Sequence, residues 1–140
     1  MDAQLIQSMQ DYIAYNQVNG KFLQDDQSKF LIEKLAAIFS FDLEERWLWE
    51  QVEFENSVYY DYEGADWDKL MEFLLSDFQN KIYLAITDDE FYPWKLLECD
   101  KASVVHLLNQ QQLFEFFIFD DSFDKIIFDT HENLLIKYVK

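Results

Sequence analysis

Apolar residues recur along this chain with two different periods. Leu5, Ile6, Met9 and Ile13 return every three or four residues, the spacing of one helical face, and predict a helix over about Asp2–Gln17 that stops at Asn19-Gly20. Asp25-Asp26 or Ser28 can cap a second helix whose apolar face is Phe30, Leu31, Leu35, Ile38 and Phe39, ending near Ser40. Asp42 with Glu45 resembles a capping pair that opens a short helical turn carrying Leu43, Trp47 and Leu48. From Val52 the period falls to two. Val52, Phe54, Val58, Tyr60 and Tyr62 alternate with polar residues as a strand or hairpin would, with Glu55-Asn56-Ser57 as a turn within it. Gly64 ends that pattern, and Asp66 caps a third helix with Leu70, Phe73 and Leu74 on its face.

The second half is strand-rich. Lys81–Thr87 is a nearly unbroken apolar run, which predicts a central strand. Asp88-Asp89-Glu90 forms an acidic loop after it, and Lys95–Glu98 a further extended piece. Asp100 or Ser103 starts a fourth helix through Val104, Val105, Leu107 and Leu108. Phe114–Phe119, Lys125–Phe128 and Leu134–Val139 then read as a β-meander, turning at Asp120-Asp121-Ser122 and at Thr130–Asn133. The expected fold is α+β: one domain over residues 1–140, about four helices packed on one face of a largely antiparallel sheet.

Charge changes the picture. The chain carries 28 acidic against 11 basic residues, a net charge of −17, yet half of it is hydrophobic and 14 Phe, 8 Tyr and 4 Trp are enough for a packed core. Low hydrophobicity with this charge would mean disorder; here the chain folds and keeps a strong negative field despite the self-repulsion. Such a field attracts a basic protein. It disfavours direct nucleic-acid binding, which needs a positive footprint, and docking on an anionic membrane. Apolar runs stay far below a membrane span, and Met1-Asp2-Ala3-Gln4 lacks the basic start of a secretory signal. With the single Cys99, expected to be a buried hydrophobe, this points to the cytoplasm; the oligomeric state is left open, with a monomer favoured.

Chemistry is hard to find. With two glycines in the chain there is no phosphate-cradling loop, and no CxxC or HExxH motif offers a metal site, so no cofactor or metal is expected. Asp61 through Glu72 has the length of a calcium loop, but Ala65 and Asp66 stand where a ligand and the turn glycine are needed, so it reads as a helix start. His106 and His131 lack partners at catalytic spacing and are read as structural, and the expectation is a protein that is not an enzyme.

Three acidic-aromatic clusters remain as candidate partner-binding surfaces. The first lies within Asp42–Asp68: Trp49, Glu53, Glu55, Tyr59, Asp61, Tyr62 and Glu63, with Trp49, Tyr59 and Tyr62 on the polar phase of the local pattern and Trp47, Tyr60 and Trp67 in the core. The second is Asp88, Asp89 and Glu90 beside Phe91, Tyr92 and Trp94; the third is Asp120 and Asp121 with Asp124. Any of the three could be the binding face.

From Ile82 to Ile136 the order of features is distinctive: an apolar strand ending in Thr87-Asp88-Asp89, Pro93-Trp94, a short helix, Phe114-Glu115-Phe116-Phe117 with an Asp soon after, and His131-Glu132-Asn133 before a last apolar strand. This stretch of roughly 60 residues resembles the small acidic bacterial immunity proteins of polymorphic-toxin and contact-dependent growth inhibition systems. The resemblance implies a cytosolic inhibitor that neutralises a cognate toxin domain, often a cationic nuclease, by tight binding; it transfers no catalytic residues. Two further readings fit the charge: a nucleic-acid mimic and a general adaptor domain.

Overall fold

The computed structural model describes residues 3–53, 55, 57–61, 66–88, 90–110, 115–130 and 134–140. Among them are four α-helices: α1 (Ala3–Asn16), α2 (Asp25–Phe39), α3 (Trp67–Leu74) and α4 (Lys101–Gln110). Seven strands accompany them: β1 (Gly20–Phe22), β2 (Ser57–Asp61), β3 (Lys81–Ile86), β4 (Leu96–Asp100), β5 (Phe116–Asp120), β6 (Lys125–Asp129) and β7 (Leu134–Val139). They form one sheet in the order β1-β4-β3-β5-β6-β7-β2, with every neighbouring pair antiparallel. The fold is therefore α+β. The strand expected at the centre, Lys81–Thr87, lies next to the middle strand β5, and the C-terminal meander β5-β6-β7 is present.

The expectation of helices on one face is corrected. One layer packs α1, α3 and α4 on the sheet through Met9, Met71, Leu74, Val104, Leu107, Ile82, Leu84 and Ile118. The opposite layer packs α2 and the segment after it through Ile32, Leu35, Phe39, Phe41, Leu48, Tyr83, Phe117 and Phe119. The cause is legible in β3 and β5. Five consecutive residues are buried in each, so side chains on both faces of these strands leave water and both faces need cover. Each fully buried Leu, Ile or Phe contributes roughly 1.5–3 kcal/mol of transfer free energy.

Several local expectations hold. The Asp66 carboxylate accepts the Lys69 backbone N–H at 3.4 Å to start α3. Asp100 does the same for α4 by accepting from Ser103 N–H at 2.7 Å. Others change. The cap of α2 is Gln24; Asp25 and Asp26 occupy its first turn, where their charge meets the positive end of the helix dipole. Ser28 is buried and accepts the Leu96 backbone N–H at 3.2 Å, stapling α2 to β4. Asp42 organises a turn instead of a helix. Its carboxylate accepts from Glu44 N–H, while Gln51 bonds both its N–H and its C=O; a 3₁₀ turn follows at Leu48–Gln51. The strand read from Val52 is shorter, Ser57–Asp61, and Phe54, Tyr62 and Gly64 lie outside the described residues. Strand β1 was not expected. It begins at the glycine read as a stop and pairs with β4. Phe30 and Phe73, placed on buried helix faces by their spacing, are 66% and 63% exposed.

Candidate functional site: the acidic edge of the sheet

The two edges of the sheet differ in length and in chemistry. Strand β1 is three residues long and carries Lys21, whose ammonium lies 3.8 Å from Glu98. Strand β2 is five residues long, pairs with β7 on one side, and has Val58 and Tyr59 at 52% and 41% exposure. Tyr60 turns towards α3 and meets Phe73 ring edge to face at 6.5 Å. Val58, Tyr59 and Phe73 thus bring exposed apolar surface to one border of the molecule. Glu53 and Glu55 precede β2, and Asp66, Asp68 and Glu72 follow on α3; all five are exposed. Of the first sequence cluster, Glu53, Glu55 and Tyr59 lie on this border. Asp61 ends β2, while Tyr62 and Glu63 lie outside the described residues.

Trp49 belongs elsewhere. It packs partly buried against the α2-side core, and its indole N–H donates to Glu115 Oε2 at 3.1 Å. Trp47 donates to Glu115 Oε1 at 3.2 Å, and the two indoles stack with centroids 6.0 Å apart. Trp49 is half-buried, and its one donor is committed to a carboxylate that is 2% exposed, so its indole helps to hold the fold. The Arg46 guanidinium lies over Phe91 at 4.6 Å and Trp47 at 5.5 Å, and Asp88 N–H donates to the Glu115 carbonyl at 3.1 Å. Trp94, 4% exposed, donates its indole N–H to the Glu90 carbonyl at 2.8 Å. The structure therefore joins the first and second clusters around Glu115. Asp88 and Glu90 are half-buried there, and Asp89 lies outside the described residues. Glu115 was not singled out in the sequence. The available signal was a lone acid within the apolar run Phe114–Phe119.

The third cluster divides. Asp120 is fully buried: it accepts Gln79 N–H at 2.8 Å and Ser122 N–H at 2.9 Å, and it also bonds the Ser122 hydroxyl. It builds the β5–β6 turn and cannot reach a partner, which corrects its assignment to a binding surface. Asp121 is exposed but engaged by the Tyr83 hydroxyl at 2.7 Å and the Lys81 ammonium at 3.1 Å. Burial pushes its pKa up, yet these two hydrogen bonds outweigh that and hold the carboxyl below the ordinary range.

A cleft of about 440 Å³ between α3 and α4 is lined by Asp68, Glu72, Lys101, His106 and Asn109 among others. His106 is exposed and its ring tilts against Tyr12 at 5.7 Å, while Lys101 spends its ammonium on the Phe78 carbonyl. Cys99 is buried, and desolvation with the nearby Asp100 and Glu98 charges pushes its thiol pKa far up. Among the described residues no group of His, Cys, Asp and Glu is placed to hold a metal ion, and no helix is long and apolar enough to cross a membrane. His131 lies outside the described residues. Comparison with family models, curated proteins and solved structures finds no match to this chain.

Proposed function

We propose that this chain is a cytosolic, monomeric immunity protein that binds and neutralises a basic toxin domain, acting by occupancy and not by turnover. The observation that carries the reading is the β2 border: exposed Val58, Tyr59 and Phe73, with exposed Glu53 and Glu55 just before the strand, on a chain of net charge −17. An apolar centre with a charged rim is the anatomy of a protein–protein interface, and one sign of charge steers a partner of the other. Lys81, Lys95, Lys125 and Lys137 pair with Asp121, Asp25, Asp124 and Asp77, so each of these cations already has an acid of the chain as its partner.

Growth of a host expressing the co-encoded toxin domain, with and without this chain, tests the reading. Wild type is expected to restore growth. A Glu53→Lys, Glu55→Lys variant is expected to associate more slowly at low salt, on the order of tenfold, a difference that shrinks as salt rises. Association that ignores salt, or a partner with an acidic surface, would refute it.

A further inference from the structure

Edge strands expose a row of backbone donors and acceptors, and folded proteins usually blunt them by shortness, lysine or proline. Strand β1 is blunted on two counts, being three residues long with Lys21 at its middle. Strand β2 carries neither device. Its sequence Ser57-Val58-Tyr59-Tyr60-Asp61 has no lysine and no proline, and among the described residues no strand pairs with its outer side. Val58 and Tyr59 point to opposite faces of the sheet, and both are substantially exposed. A strand laid beside β2 would therefore gain side-chain contacts on both faces as well as backbone hydrogen bonds.

We propose that β2 is a docking edge that takes an extended, basic, partly apolar segment of another protein as an eighth strand of the sheet. This rests on the immunity reading above and gives it a binding mode. Charge selects the occupant. A second copy of the chain would bring another net charge of −17 to an edge already preceded by exposed Glu53 and Glu55, and would be repelled. A strand alternating Lys or Arg with Val, Ile or Tyr meets the acids with its cations and the Val58–Phe73 surface with its apolar side chains.

The test is amide hydrogen–deuterium exchange on the full chain with a capped peptide of alternating lysine and valine, about seven residues long. Its comparisons are the same peptide N-methylated at every second residue on the edge that would pair, and an alternating glutamate–valine peptide. The expected result is slowed exchange at Ser57–Asp61 with the first peptide, affinity lower by about tenfold or more for the methylated one, and no binding of the acidic one. Val58→Lys, with unchanged exchange elsewhere in the sheet, should reduce affinity similarly. Equal binding of the methylated peptide, or protection confined to another surface, overturns the docking edge but leaves an acidic binding protein. No binding of either basic peptide also overturns it; if the toxin domain still binds, the immunity reading stands on another face.

Discussion

At the two ends of β5, Glu115 and Asp120 are buried and ringed by donors: two indoles for the first, two backbone N–H groups and a hydroxyl for the second. Before β2, Glu53 and Glu55 are exposed. The same functional group does opposite work in the two places. A carboxylate removed from water must recover its hydration from fixed donors, so it dictates the positions of its neighbours. An exposed one keeps much of its hydration, needs no such ring of donors and contributes field, at the cost of repelling its many neighbours of like sign. In this chain the acids at the sheet's centre shape the fold, and those at its edge are available for recognition.

Substitutions at the centre should separate the two classes most clearly. Asp120→Ala removes a buried carboxylate and leaves the part-buried Gln79 and Ser122 N–H groups without their acceptor, and is expected to destabilise by about 2 kcal/mol. Urea unfolding followed by tryptophan fluorescence measures this, and a loss within the range of ordinary surface substitutions would show that the turn does not depend on the carboxylate. Glu115→Gln keeps the shape but turns an amide NH₂ towards one indole N–H. About 2 kcal/mol should be lost, together with a change in the Trp47 and Trp49 fluorescence, because one of the two donors is stranded.

Acid should sharpen the comparison. Asp121 and Asp77 are held below the ordinary carboxylate range in the folded chain: burial raises each, and hydrogen bonds from Tyr83 and Lys81, or from Lys137, more than offset it. In the window between the folded and unfolded values the unfolded chain binds more protons. Their contribution is therefore full above about pH 4 and is lost as pH falls through the folded values. Salt at neutral pH should act in the other direction. Screening the −17 self-repulsion is expected to raise the urea midpoint between about 20 mM and about 500 mM NaCl. A midpoint that falls with salt would mean that the internal ion pairs outweigh the repulsion.

The smallest effect belongs to the edge itself. Glu53→Lys, Glu55→Lys should shift stability by no more than about 0.5 kcal/mol, or raise it slightly, while changing association with a basic partner. A large loss of stability from that variant would place these acids with Glu115 and Asp120.

Apolar periodicity was enough to find β3, β5, β6, β7 and the four helices, since a 3.6-residue or two-residue repeat is a local property of the chain. Asp66 and Asp100 were legible as caps for the same reason, because a cap bonds within three residues of itself. Periodicity could not tell that Phe30 and Phe73 would remain exposed. A residue one position off the centre of a helical stripe is buried only if a neighbouring element covers it. Strand β1 was invisible because three residues hold no period, and its pairing with β4 is decided across more than seventy positions of sequence.

Net charge, the scarcity of glycine and the aromatic content belong to the sequence alone, and they already limited the chain to a folded, acidic protein with little provision for phosphate or metal chemistry. Which acids are buried in the fold and which stay exposed was decided by tertiary structure. Trp47 and Trp49 lie more than sixty residues from Glu115 in sequence, yet their indoles are what allow that carboxylate to be buried. Burial depends on what the rest of the chain brings to a group, and that sum is available only when the chain is folded.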